Sequence, residues 1–183
     1  MIDLLDMHKM FLTPHIKKGG VVADLTMGNG HDTLWLSQMI GEEGHVYSFD
    51  IQEQALNSTR LLLESSKAAN NYTLIHDSHA NVKNYISQPI CAAMFNLGYL
   101  PGGDKSITTL RESTKAAVDA VMELLDSDGG LLIAVYPGHE EGTQEGLMLD
   151  EHLSTFSKYK FCISKFQIIN SPYSPFFFLV EKK

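Results

Sequence analysis

Cysteine is scarce in this chain of 183 residues: there are two, Cys91 and Cys162, and neither belongs to a Cys-x-x-Cys pair. That argues against a disulfide framework and a cysteine-built zinc site, and both thiols are expected to be reduced core side chains of a cytoplasmic protein. No apolar run approaches the roughly 20 residues that span a bilayer, so no membrane partner is expected. The first nine residues carry Asp3 and Asp6 where a secretory signal would carry bases. Positive charge is also in short supply. Fourteen Lys and Arg stand against 22 Asp and Glu, a formal net charge of −8. Nonspecific nucleic-acid binding rests on neutralised phosphates, so this balance argues against it. A nucleic-acid ligand would have to be read as a single-stranded, splayed base. Repeats, low-complexity segments and linkers are missing as well, which makes residues 1–183 one expected domain.

What is present is organised around Val21-Val22-Ala23-Asp24-Leu25-Thr26-Met27-Gly28-Asn29-Gly30-His31-Asp32-Thr33. An apolar strand runs into two glycines and then into a helix that ends at Gly41. Such a turn lets a ligand approach the backbone and offers the unpaired N–H groups of a helix N-terminus. A P-loop is excluded because no Lys follows the glycines. A dinucleotide fingerprint needs a third glycine where this chain has Thr33. The carboxylates Asp24 and Asp32 suit a cationic ligand better than a pyrophosphate. S-adenosylmethionine (SAM), with a sulfonium and an ammonium, is such a ligand. A tight turn without a ligand is the alternative.

Three further apolar runs end in polar tips. His45–Phe49 ends in Asp50, one βαβ unit after Asp24, where an acid can accept two ribose hydroxyls. Tyr72–His76 ends in Asp77-Ser78-His79, with an acid placed to accept from an adenine amino group. Ile90–Phe95 ends in Asn96-Leu97-Gly98-Tyr99-Leu100-Pro101-Gly102-Gly103. In an open α/β sheet all four tips share the ligand-binding edge. His76 and His79 invite a metal, but no third and fourth ligands stand at a matching spacing, so none is expected.

Helices are expected over residues 2–12, 54–69, 81–87, 107–125 and 144–157, with the first broken at Thr13-Pro14. That first segment packs on the sheet, and Lys9 or His15 could reach the site from it. Residues 131–136 read as a buried strand that ends in Pro137-Gly138-His139. Residues 161–169 and 176–180 read as an antiparallel hairpin whose loop carries Tyr173.

The blocks D-L-T-M-G-N-G-H-D-T, F-D-I-Q, H-D-S-H and F-N-L-G-Y-L-P-G-G-D-K resemble small class I SAM-dependent methyltransferases of the rRNA methylase family. Some relatives methylate the aminomethyl group of wobble uridine in tRNA. The resemblance covers nearly the whole chain. It implies a Rossmann-like α/β fold: a seven-stranded sheet of order 3-2-1-4-5-7-6, strand seven antiparallel, with helices on both faces. It implies SAM as cofactor, held by Asp24, Thr26, Gly28, Asn29, Gly30, Asp32, Asp50, Gln52, Asp77, Ser78, His79 and Asn96. Tyr99, Pro101, Gly102, His139 and Tyr173 are the expected substrate contacts. Asn96 with the Leu97 carbonyl, Tyr99, His139 and Asp32 are the candidates to orient an amine acceptor or take its proton. Cys91 lies inside a strand, which argues against a cysteine-dependent methylation of cytosine. The substrate implied is tRNA or another RNA, with a small molecule, or a SAM-binding module without catalysis, as alternatives. A homodimer would enlarge the surface for RNA.

Overall fold

The computed structural model describes residues 4–183, apart from the side chains of Leu5 and Asp6. Residues 2 and 3 of the expected first helix lie outside the described residues. The elements in chain order are α1 (Leu4–Leu12), β1 (Val21–Asp24), α2 (His31–Ile40), β2 (His45–Asp50), α3 (Glu53–Ser65), β3 (Tyr72–His76), β4 (Ile90–Leu97), α4 (Arg111–Leu124), β5 (Leu125–Val135), α5 (Glu140–Ser154), β6 (Phe161–Phe166) and β7 (Phe176–Lys182). Short 3-10 turns cover Thr13–His15 and His79–Asn84.

The seven strands form one sheet of order β3-β2-β1-β4-β5-β7-β6. β1 to β5 pair in parallel, whereas β7 is antiparallel to both β5 and β6. The expected order and reversed strand are therefore found.

The central strands alternate between two cores, as a period of two requires when both faces are covered. Ala93, Phe95 and Leu97 of β4, with Leu131, Ile133 and Val135 of β5, face α4, α5 and the second 3-10 turn. Ala92, Met94, Leu132, Ala134 and Phe177 face α1 and α2.

Several boundaries differ from expectation. α3 stops at Ser65 because Lys67 takes a positive φ of 51° and turns the chain. α4 starts at Arg111 because a turn closes at Ile107 and the chain then runs extended to Leu110, with Thr108 bridged to Tyr99. β5 begins at Leu125, not 131. It passes through an irregular register in which Asp128 has a φ of 61°. α5 begins at Glu140 because His139 caps it. Cys91 is buried, but Cys162 is exposed on edge strand β6, contrary to the expectation of two core thiols.

Candidate active site

The turn after β1 is built by buried polar groups. Asp24 is 0% exposed. Its Oδ2 accepts the Thr33 hydroxyl at 2.6 Å and its Oδ1 accepts the Thr26 N–H at 3.2 Å. Burial first, then the charge of Asp32, pushes the Asp24 carboxyl up to about 7. Thr33 also lies 3.0 Å from Ser48 Oγ on β2. A threonine thus stands where a dinucleotide site has glycine because its hydroxyl ties α2 to two strands. Gly28 and Gly30 have φ of 52° and 84°. A Cβ on Gly30 would stand 2.7 Å from Thr59 Oγ1, and that same hydroxyl donates to the Gly28 carbonyl at 3.1 Å. Thr59 of α3 is a support that the sequence did not single out.

A cavity of about 750 Å³ opens along the carboxyl edge of the sheet, within the size range of small-molecule sites. Thr26, Gly28, Asp50, Gln52, Asp77, Ser78 and His79 line one side. Asn96, Gly98, Tyr99, Pro101, Tyr136, His139 and Tyr173 line the other. Asp24, Asn29, Gly30, Asp32 and Gly102, also expected at the ligand, are not on its wall. Asn29 donates its side-chain N–H to the Pro101 carbonyl at 3.2 Å and so ties the first turn to the loop after β4.

Asp50 accepts the N–H groups of Gly28 at 3.0 Å and Gln52 at 2.9 Å, and burial raises its carboxyl above the usual range. A carboxylate has about four acceptor positions, so part of its capacity remains. Asp77 is more occupied. It accepts from Ser78 N–H, the Asn81 amide and the Tyr85 hydroxyl, and the Asn81 and Tyr85 bonds chiefly hold its carboxyl below the usual range.

Asn96 stands at the seam of the two sides. Its Nδ2 donates to Asp32 Oδ2 at 2.7 Å, and Asp32 Oδ1 pairs with Lys9 Nζ at 2.5 Å. Only the amide nitrogen can donate to a carboxylate, so this bond decides which way the amide faces. The Tyr136 hydroxyl lies 3.4 Å from Asn96 Oδ1. Lys9 also lies 5.0 Å over the Trp35 ring. His15, the other candidate on that segment, bonds the Asp128 carbonyl at 2.6 Å on the opposite edge of the sheet.

Two cavity histidines are held in opposite tautomers. His79 Nδ1 lies 3.0 Å from the Leu25 carbonyl, to which only an N–H can donate. Its Nε2 is therefore a lone-pair acceptor, and burial lowers its pKa and keeps the ring neutral. His139 Nδ1 accepts the Gly142 N–H at 3.1 Å, so its Nε2 carries the hydrogen. Both Nε2 atoms are buried and have no hydrogen-bond partner among the described residues. Both rings line the cavity, but neither Nε2 atom is exposed on its wall. The tautomer of His139 also departs from expectation, because it does not present the lone pair of a proton acceptor. His76 bonds the Ile51 carbonyl at 3.0 Å, so the two histidines of His76-Asp77-Ser78-His79 each use a ring nitrogen on a different strand tip.

Tyr99 is 40% exposed and packs 5.7 Å from the His139 ring, while Tyr173 is 79% exposed at the mouth. Ile107, Thr109 and Leu110, in a stretch expected to be helical, also line the cavity, because a turn at 104–107 leads into extended backbone before α4. The sequence reading missed Glu145, 0% exposed in α5, whose oxygens accept the hydroxyls of Thr109 and Thr114 at 2.7 Å each.

A sheet of this order, with a cavity across its carboxyl edge, defines a class I methyltransferase. A family model described as "Putative rRNA methylase" matches residues 46–182. The chain belongs to that family of SAM-dependent methyltransferases. It is 36% identical to a protein from Clostridium thermocellum described as a "putative rRNA-methylase", with a TM-score of 0.96 over 100% of this chain and 99% of that one. A protein from Streptococcus mutans described as "a putative methyltransferase", solved in complex with SAH, is 34% identical, with a TM-score of 0.90 over 100% and 99% of the two chains. The chain is also 35% identical over 178 residues to the chloroplastic tRNA (mnm(5)s(2)U34)-methyltransferase of Arabidopsis thaliana. That match takes in 92% of this chain but spans only 65% of the plant protein.

Proposed function

We propose that this protein uses SAM to N-methylate the 5-aminomethyl group of a wobble (2-thio)uridine in tRNA. The observation that carries the reading is Asn96 at the seam of the cavity, its amide held by Asp32 so that Nδ2 is engaged, while Oδ1 accepts the Tyr136 hydroxyl with one lone pair and keeps the other. An amine must attack as the neutral base, with its lone pair aimed at the methyl carbon. Asn96 Oδ1 and the Leu97 carbonyl accept its N–H bonds and leave that lone pair free. SAM, when bound, supplies a methyl group on a good leaving group, so the protein's task is to place two reactants and exclude water. Asp50 takes the ribose hydroxyls with its remaining acceptor positions, and the His79 ring borders the adenine side. Tyr99, packed beside His139, stacks on the base. Pro101 and Tyr173 border the same pocket. The plant relative's name supports a wobble uridine as substrate.

The net charge of −8 favours a second reading, a small-molecule amine as acceptor. Methyl transfer from labelled SAM to total tRNA, total rRNA and a metabolite pool, followed by nucleoside analysis, separates the two. Label in a methylaminomethyl-uridine of tRNA is the expected result. Label confined to metabolites or rRNA would overturn the proposal.

A further inference from the structure

Glu145 is a buried carboxylate away from the cavity wall, and its connections lead back to the reacting edge. Its Oε2 accepts the Thr109 hydroxyl and its Oε1 accepts the Thr114 hydroxyl. Thr109 Oγ1 in turn accepts the Gly98 N–H at 3.0 Å, while the Thr109 N–H donates to the Gly98 carbonyl at 3.0 Å. A hydroxyl has one hydrogen. With that hydrogen committed to the carboxylate, the lone pairs of Thr109 are left for Gly98. The peptide unit joining Leu97 to Gly98 is planar and trans, so fixing its N–H also fixes the Leu97 carbonyl on the opposite side of the same plane. Gly98 itself, at a φ of 145°, is not held there by any side-chain preference of its own.

We propose that Glu145 is a positioning residue that, through Thr109, aims the Leu97 carbonyl at the methyl acceptor. The proposal rests on the amine reading of the same site. The two threonines separate this role from a merely structural one. Both satisfy the buried carboxylate, but only Thr109 reaches Gly98.

The test compares Thr109→Val, Thr109→Ser, Thr114→Val and Glu145→Gln in the full-length chain. Each variant is checked by thermal melting, and Thr109→Ser keeps the proposal testable if Thr109→Val does not fold. Two readouts are taken: amide hydrogen exchange at Gly98, which needs no substrate, and kcat and KM for methyl transfer to tRNA bearing 5-aminomethyl-uridine. Thr109→Val and Glu145→Gln should speed Gly98 exchange about tenfold, the worth of one hydrogen bond, and lower kcat by a similar factor. Thr109→Ser should restore both, and Thr114→Val should leave both within about twofold at a comparable loss of melting temperature. Equal effects of Thr109→Val and Thr114→Val, or an unmoved Gly98 amide in Thr109→Val, would overturn the proposal. A wild-type protein that does not methylate this tRNA would overturn the amine reading on which it rests, and the exchange data would still show whether Glu145 controls Gly98.

Discussion

The side-chain amide of Asn96 donates to the Asp32 carboxylate at 2.7 Å, and Asp32 does not line the cavity. An acid of the glycine turn thus fixes the orientation of a cavity-lining amide. Asp32→Asn removes the charge that dictates the amide orientation. Methyl transfer is expected to fall about tenfold or more, while SAH affinity changes by less than about threefold. Calorimetric SAH titration beside single-turnover kinetics checks both. A large loss of SAH affinity with the transfer rate intact would make Asp32 a cofactor contact instead.

Asp50→Ala should weaken SAH binding by roughly 1.5–3 kcal/mol if its free acceptor positions take ribose hydroxyls. Asp50 also accepts the Gly28 and Gln52 N–H groups, so part of any effect passes through the turn itself. Thermal melting without ligand measures that part. Unchanged SAH affinity would remove Asp50 from the cofactor site.

Asp24 sets a pH dependence of stability. Its carboxyl is raised from 3.8 to about 7 in the folded protein. The folded chain therefore holds this proton more tightly than the unfolded chain. The stability it contributes is complete below about pH 3.8 and is lost as the pH rises through about 7. Asp24→Asn keeps an oxygen for the Thr26 N–H and places a donor beside Thr33. In urea unfolding it should flatten the change between pH 5 and pH 8 by on the order of 2–4 kcal/mol. The same slope in wild type and variant would show that Asp24 titrates as an ordinary carboxylate.

Gly30→Ala meets two obstacles at once: a φ of 84°, and Thr59 atoms within 2.7–2.9 Å of the new methyl. It should destabilise the fold by at least about 2 kcal/mol in the same unfolding assay. A neutral substitution would mean that the turn can shift off α3.

The sheet was legible in the sequence because each strand is a short apolar run closed by a polar tip, and those tips do share one edge. Helix ends were less legible. Lys67 rather than a glycine turns the chain after α3, and the non-helical stretch Ile107–Leu110 looks helical by its apolar spacing alone. The site residues divide by depth. Asp50, Asp77, Asn96 and Tyr99 project from strand tips, where position along the chain predicts position at the cavity. Asp24 and Asp32 sit one layer back, and no spacing distinguishes an acid facing a ligand from one facing Thr33 or Asn96. Glu145 lies in a helix rich in acids, and nothing in its neighbours announces that it is the buried one.

Tyr99→Ala should raise the KM for RNA about tenfold, in line with roughly 1–3 kcal/mol per stacked base, and leave SAH binding nearly unchanged. A loss confined to SAH would mean that the loop after β4 covers the cofactor rather than the base.

The most direct measurement is single-turnover methyl transfer from labelled SAM to two anticodon stem-loops that differ only at the wobble base. One carries 5-aminomethyl-2-thiouridine and the other 2-thiouridine. The account predicts label on the first, recovered as the methylaminomethyl nucleoside, and none on the second. Equal labelling of both, or label elsewhere in the stem-loop, would contradict an amine acceptor held at Asn96.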